Sequence, residues 1–534
     1  MTQLLTVKKF HPAVLSVLSG LLLFAAWPVS PFTFLIFIGF VPLFWMEQQG
    51  IKRRPFFLWT YLAMLIWNMS TTWWIMNSTV PGGIAAIMAN SLLMCLPWLA
   101  FYNIKKRMGA GAGYAGFVLG WLTFEYIHLN WELSWPWLTL GNVFATHPDW
   151  VQWYQITGTS GGSLWVLAVN TTIFFLLKNR FNVRRATAFI SLLVFPFLFS
   201  FYFGTHLNKP MLNANSIVIV QPNVDPYTKF EQGQEHAQME QLIKLSESMI
   251  DSTTKLVVWP ETAIPVPIDE SQVMTHPFVQ PVFEMLKRHP DISLLTGIEG
   301  FRFFKENEKT KYSRRYPDTE MYFDAYNSAA LMDSSSVRLY HKSKLVPGVE
   351  TLPSFLKFLD KWFEQFGGTT GGYAKQDERT VLIASNSNYK IAPAICYESI
   401  YGEFMTAYIR KGANLVAIIT NDGWWSETPG YRQHMNYARL RAIETRKWIV
   451  RSANTGISCF IDQYGQVYQP QPWNKAAAIK QKVPDFLTGS TFYVRNGDII
   501  SRIAIALTIL LTIWNIFVII KQRTQRGKNT IISK

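Results

Sequence analysis

The stretch YKIAPAICYE, residues 389–398, decides how the second half of the chain reads. It is a mostly apolar run of strand length, and a helix-like stretch follows at about 398–411, so Cys396 falls on the turn between them. Comparable runs recur at SIVIVQPNV (216–224), KLVVWPETAI (255–264), ISLLTGIEG (292–300), YNSAALM (326–332), VRLYHKSKLV (337–346), ANLVAIITND (413–422) and WIVRSANTGISCFI (448–461). Helix-like stretches at about 233–251, 275–289 and 431–446 lie between several of them. Short strands interleaved with helices predict a layered α/β domain over residues 206–498.

On both sides of this domain the chain changes character. Seven apolar runs precede it, at 12–29, 32–46, 56–77, 81–103, 113–129, 161–177 and 186–204, and an eighth follows at 499–520. Most have the length that a bilayer-crossing helix needs. Charged residues make up only 16% of the chain, against about a quarter in soluble proteins, yet the mean hydropathy is only +0.09. A chain part membrane and part soluble satisfies both figures. The expected organisation is a seven-helix transmembrane domain over 1–205, the α/β domain over 206–498, and a final helix with a basic cytoplasmic tail over 499–534.

The net charge of +15 has three physical readings: nucleic acid, an anionic surface, or membrane topology. With the N-terminus in the cytoplasm, segments 1–11, 47–55, 104–112, 178–185 and 521–534 all fall on that side. They hold 17 of the 50 basic residues and a single acid, Glu47, which is the positive-inside pattern. The other 33 basic residues are balanced by 34 acids. The excess therefore records orientation and argues against nucleic-acid binding, and residues 206–498 are expected outside the cytoplasm.

Three cysteines are too few and too scattered for a disulfide framework or a thiolate metal site. Cys95, mid-span, and Cys459, within a strand run, read as packing residues. Cys396 stands where helix-start N–H groups would lower a thiol pKa and supply oxyanion donors, although a buried thiol there would serve packing equally. Glu261 follows Pro260 in VVWPETAIP at the carboxyl end of another strand run, where open α/β sheets place their sites. It reads as a general base or as a solvated strand-end acid. In YHKSKLVPGVE either Lys342 or Lys344 could hold a fixed positive charge toward an oxyanion, and spacing does not choose between them.

Four further features stand out. Residues 354–366, SFLKFLDKWFEQF, carry aromatics on a helical period and read as an interfacial flap or a helix packed on the domain. Segment 302–320 reads as a basic loop, solvated or meeting lipid phosphates. Trp131, Trp135, Trp137, Trp150 and Trp153 in the loop 130–160 suggest an interfacial aromatic belt. Glu125, near the outer end of the fifth span, is an intramembrane carboxyl whose role is structural or functional.

Glu in WPE, Lys in YxKxxLVP and Cys in AICYE, in that order, resemble the Glu-Lys-Cys triad of the nitrilase, or carbon-nitrogen hydrolase, superfamily. With seven spans before the domain and one after, the whole chain resembles that superfamily's membrane-embedded branch, the bacterial apolipoprotein N-acyltransferases. The resemblance implies a nitrilase-like αββα sandwich on an eight-helix transmembrane bundle in the inner membrane, with the catalytic domain on the periplasmic side. It implies Glu261 as general base, Cys396 as nucleophile and Lys342 as the lysine that stabilises the transition state. Lys342 is chosen over Lys344 because the family lysine lies eight residues before the glutamate matching Glu350. Tyr397 and Glu398 complete the CYE match and line or support the site, and Trp424 matches an aromatic in the substrate region.

Some positions depart from the family pattern: LVPGVE stands for LVPFGE, Phe230 for a frequent Trp, and Trp425-Ser426 for Phe-Gly. Matches at His434, Arg439, Arg441, Ala442, Arg451, Asn454 and Gly456 read as architectural. The implied reaction takes an acyl chain from a membrane phospholipid through a Cys thioester to the N-terminal amine of an S-diacylglyceryl-cysteine apolipoprotein. It is ping-pong, needs no cofactor or metal, and is carried out by a monomer. A membrane-tethered amidase using water, or a lipid-binding or transport protein without catalysis, are the competing readings.

Overall fold

A computed structural model of the chain describes residues 9–179, 182–205, 214–229, 231, 233–352, 372–485 and 489–532. The expected flap at 354–366 and Phe230 lie outside the described residues. Each of the eight apolar stretches is helical. Their helices are α1 (Pro12–Ala26), α2 (Val41–Gln48), α3 (Arg53–Thr72), α4 (Val80–Leu93), α5 (Cys95–Met108), α6 (Ala110–Leu129), α7 (Thr159–Lys178) and α8 (Val183–Thr205), with a long helix Ile499–Ile532 near the C-terminus.

Length and apolar composition alone qualify four rods among the described residues to cross a membrane: Val80–Met108, Thr159–Lys178, Val183–Thr205 and Ile499–Gln525. The others are shorter or less uniformly apolar. The second stretch is broken into a 3-10 turn, Thr33–Phe37, and α2. Broken backbone needs partners where water is scarce. Asn170 of α7 supplies them, accepting from Phe40 N at 2.8 Å and donating to Ile36 O at 2.8 Å. Rings of Phe40, Phe44, Trp98, Phe117 and Trp121 fill the space between these helices, with Trp98 and Phe117 centroids 4.4 Å apart.

The loop 130–160 turns most of its expected belt rings inward and leaves Trp131 exposed. It folds into short 3-10 turns, with Trp137 and Trp153 buried and Trp135 and Trp150 half-buried. Trp137 packs against Trp425, His434 and Tyr437 of the α/β domain, so the loop forms a seat for it there, whereas Trp150 and Trp153 meet Phe197 and Trp165 of the apolar helices.

The α/β domain holds two sheets. The first runs β14-β1-β2-β4-β6-β5, where β14 is Ala477–Pro484, β1 Ala214–Gln221, β2 Thr254–Val258, β4 Ser293–Phe304, β6 Tyr322–Met332 and β5 Arg314–Arg315. Strands β3 (Ile268–Asp269) and β7 (Val337–His341) pair with β4 and β6 off this path. The second runs β13-β12-β11-β10-β9-β8: Val467–Tyr468, Cys459–Ile461, Trp448–Ala453, Leu415–Thr420, Lys390–Ile395 and Leu382–Ile383. The segment 302–320 is mostly the expected loop, joining β4 to β6, which pair as far as Phe304 with Tyr322; only its first three residues and β5 are strand.

Strand alternation sets the layers. Val218 and Val220 of β1 join Met239, Leu242, Phe283 and Leu286 of two outer helices, α9 (Glu235–Glu247) and α10 (Gln280–Arg288). Ile217 and Ile219 instead face the second sheet, and Ser452 Oγ donates to Val220 O between the sheets at 2.8 Å. Helices α11 (Gly402–Arg410) and α12 (Pro429–Thr445) cover the far side of the second sheet. The order helix, sheet, sheet, helix is the nitrilase-like sandwich.

Candidate active site

Four strands deliver the polar residues of one buried cluster. Glu261 follows β2, Lys342 follows β7, Cys396 follows β9 and Asn421 follows β10. Lys342 Nζ lies 3.2 Å from Glu261 Oε1 and 2.7 Å from Glu350 Oε1, and its side chain is 1% exposed. Asn327 on β6 donates from Nδ2 to the same two carboxylates, at 2.8 Å to Glu261 and 3.2 Å to Glu350. The free oxygens are taken up as well: Asn421 N–H donates to Glu261 Oε2 at 3.1 Å, and Val346 N–H to Glu350 Oε2 at 2.8 Å.

Backbone geometry aims each group. Thr262, after Glu261, has φ +46°, and Cys396 itself has φ +51°, both in the left-handed region that side chains rarely enter. The Glu261 turn fits only because residue 297 is glycine: a Cβ there would lie 2.3 Å from Thr262 N and 2.7 Å from Glu261 Cα. Buried Lys229 clamps the same turn, donating to Glu261 O at 3.3 Å and Thr262 Oγ1 at 3.0 Å. Burial draws the Lys229 amine down to about 8. In LVPGVE, Gly348 adopts φ +81° and donates to Thr351 O at 2.8 Å, so the loop closes around a glycine one position earlier than in LVPFGE.

The electrostatics separate the two lysines that spacing left open. Burial works against the Lys342 ammonium, but Glu261 and Glu350 outweigh it and hold its pKa well above the ordinary lysine value. Lys344 stands apart, 5.0 Å over the Tyr401 ring, where burial and Arg379 pull it down to about 8. The Cys396 thiol is pushed up, chiefly by burial and then by the Glu261 charge, with Lys342 opposing. The expected lowering by helix-start N–H groups does not occur, because only a five-residue 3-10 turn, Cys396–Ile400, begins there and desolvation dominates.

Glu398 fastens the cysteine turn to the lysine loop. Its carboxylate accepts from Tyr340 OH (2.7 Å), Ser343 N (2.6 Å), Lys344 N (3.1 Å) and Ile395 N (2.8 Å). Tyr397 points the other way and donates to Ser134 O of the loop 130–160 at 2.7 Å. Trp424, 39% exposed, meets Tyr227 edge-on at 5.4 Å near Asn77, which donates to Trp425 O at 3.0 Å. Cys95 sits within α5 and Cys459 within β12, both buried and away from this cluster.

Sequence reasoning passed over Asn327, Asn421 and Ser134. The signal for Asn327 was present: an amide in the apolar run YNSAALM, 4% exposed, has to find partners. Among the described residues no group of His, Cys, Asp and Glu is arranged to hold a metal.

Residues 217–484 match the carbon-nitrogen hydrolase family profile, and residues 19–172 match the N-terminal domain of apolipoprotein N-acyltransferases. The apolipoprotein N-acyltransferase of Chlorobaculum tepidum is 30% identical over 520 residues, covering 94% of this chain and 96% of its own. The chain belongs to the apolipoprotein N-acyltransferase family. The family member of Geobacter metallireducens is 26% identical over 513 residues, covering 92% of this chain and 93% of its own. Among solved structures, a carbon-nitrogen hydrolase superfamily protein of Xanthomonas campestris is 15% identical, with a TM-score of 0.33 over 51% of this chain and 91% of that one. Within the family sequence, the stretch joining the two matched regions, 173–216, contains α8.

Proposed function

We propose that this chain, an acyltransferase of lipoprotein maturation, works through a thioester on Cys396. The donor is a membrane phospholipid and the acceptor is the N-terminal amine of a diacylglyceryl-cysteine apolipoprotein. Cys396 Sγ attacks the donor's ester carbonyl as its proton passes to Glu261. Because the resting thiol is held protonated, the two events are coupled and no standing thiolate is needed. The oxyanion meets the Lys342 ammonium and backbone N–H groups of the turn. The ester C–O bond then breaks, the leaving lysophospholipid oxygen takes the proton from Glu261, and the thioester remains.

In the second half the acceptor's amine attacks the thioester, giving its proton to Glu261 and forming the amide, and Cys396 leaves and recovers its proton. Lys342 stays charged throughout, since two carboxylates hold it so, and it serves as a fixed cation. Glu350 and Asn327 keep it and Glu261 in register. The convergence of Glu261, Lys342, Glu350 and the Cys396 turn in one buried cluster carries this reading.

The membrane arrangement belongs to the same proposal: eight spans, a cytoplasmic N-terminus, and the α/β domain on the periplasmic face of the inner membrane of a monomeric enzyme. In its support, Lys105 pairs with Glu47 and Lys178 donates to Gln48, gathering basic helix ends together, while the opposite ends carry the loop that touches Tyr397. Trp424 and Tyr227 at the mouth suit acyl-chain contact.

Intact-protein mass after exposure to phospholipid tests the reading. An acyl adduct on Cys396 should persist alone and disappear, with product formed, when a diacylglyceryl-cysteine peptide is added. Rapid release of free fatty acid would instead indicate an amidase-like hydrolase, and full transferase activity in Cys396→Ala would remove the thioester altogether.

A further inference from the structure

Behind the nucleophile lies a second buried constellation that the thioester chemistry does not use. His434, on α12, has Nε2 3.1 Å from Cys396 O and 2.9 Å from Ser399 Oγ. Its Nδ1 lies 2.9 Å from Asp422 Oδ1. Asp422 is in turn held by Arg451 Nη2 at 2.7 Å and by Thr420 Oγ1 at 3.0 Å. His434, Asp422, Arg451 and Ser399 are each no more than 1% exposed.

Serine, histidine and aspartate in this order have the connectivity of a hydrolase triad, but Ser399 is closed to any substrate and its hydroxyl donates to Cys396 O at 2.8 Å. The network is aimed at a backbone carbonyl, that of the one cysteine in the cluster, which sits at φ +51°. A residue in that region persists only when its surroundings over-determine it. Cys396 O is an acceptor, so an Nε2–H of the ring donates to it, while Nδ1 faces Asp422 Oδ1 and, at 3.1 Å, Arg451 Nη2. Asp422 also follows Asn421, whose N–H holds Glu261 Oε2. One strut therefore joins the turn that fixes Glu261 to the turn that aims Cys396.

We propose that His434, oriented by Asp422, is a positioning residue of the acyl-transfer reaction, holding the Cys396 carbonyl so that Sγ and Glu261 stay in register. The proposal rests on the thioester reading above, and the architectural role that the sequence suggested for His434 is thereby made specific to one atom. Rings from the membrane part close the strut's other side. Trp137 lies 5.9 Å from His434, and Trp425, 5.6 Å from it, stands 4.8 Å from Trp74.

Two near-isosteric substitutions decide the matter in the full-length enzyme in detergent with a defined phospholipid. His434→Gln can place an amide N–H where Nε2 is, whereas His434→Asn reaches only the Nδ1 position and leaves Cys396 O without that donor. Single-turnover formation of the Cys396 acyl adduct, followed by mass, should stay within about fivefold of the unsubstituted rate in His434→Gln and fall about 100-fold in His434→Asn, with phospholipid KM unchanged in both. Equal rates in the two variants, or a loss carried by KM, would overturn the proposal. A His434→Gln chain that does not fold overturns it as well, since the need would then be for packing. If only His434→Asn fails to fold, a loss above about 50-fold in His434→Gln is the overturning result. No adduct in the unsubstituted enzyme defeats the thioester reading itself, whereas an adduct formed equally fast in His434→Asn defeats only the role given to His434.

Discussion

The hydroxyl of Tyr397 donates across 2.7 Å to the main-chain carbonyl of Ser134, so the residue after Cys396 is tied to the loop that rises from the apolar helices. Tyr397→Phe leaves the Ser134 carbonyl buried without this donor. A loss of about 1–3 kcal/mol in unfolding free energy in detergent is expected. Adduct formation should slow, while an unchanged stability would show that water replaces the hydroxyl.

Glu398 presents only acceptor oxygens to four donors. In Glu398→Gln an amide NH2 must face at least one N–H or O–H. Stability should drop by about 1–3 kcal/mol, and the lysine loop and cysteine turn should lose their common anchor. Adduct formation by mass should fall in parallel, and Glu398→Asp should not restore it, being one methylene too short to reach both segments.

The Cys396 thiol is raised by burial and by Glu261 and lowered by Lys342, which fixes the direction of two shifts. Followed by mass as a function of pH, iodoacetamide alkylation should have its midpoint above the ordinary thiol range. That midpoint should move to lower pH in Glu261→Gln and to higher pH in Lys342→Gln. Movement in the same direction would contradict the arrangement. Because the folded state favours the neutral thiol, its contribution to stability is complete below the ordinary thiol pKa and declines as pH rises beyond it.

Gly297→Ala tests the Glu261 turn without removing any polar group. The added methyl would stand 2.3 Å from Thr262 N, so the turn must move. A stability loss of about 1–3 kcal/mol and a drop of about 100-fold in adduct formation are expected. A near-normal rate would mean that Glu261 tolerates displacement.

The readable part of this protein was local. Apolar strands ending on Glu261 and Cys396, and helices in each apolar stretch, follow from short-range pattern. What the pattern lacks is depth. The direction of the Cys396 shift was misjudged because desolvation depends on layers brought from distant segments. Likewise, Lys342 and Lys344 differ only in what faces them: Glu261, some eighty positions earlier in the chain, and Glu350 on one side, Tyr401 and Arg379 on the other. Tryptophans in the loop 130–160 carried an interfacial composition, yet Trp137 and Trp153 are buried. Composition counts the rings and says nothing of which neighbour covers them.

The seat formed by Ser134, Trp137 and Trp74 gives the hydrolase-like sandwich a back wall that its own residues do not complete. The part of the chain that carries the apolar helices thus also backs the turn at Cys396. On the proposed thioester reading, anchorage and choice of second nucleophile become one property, and cutting the two parts apart should lose both.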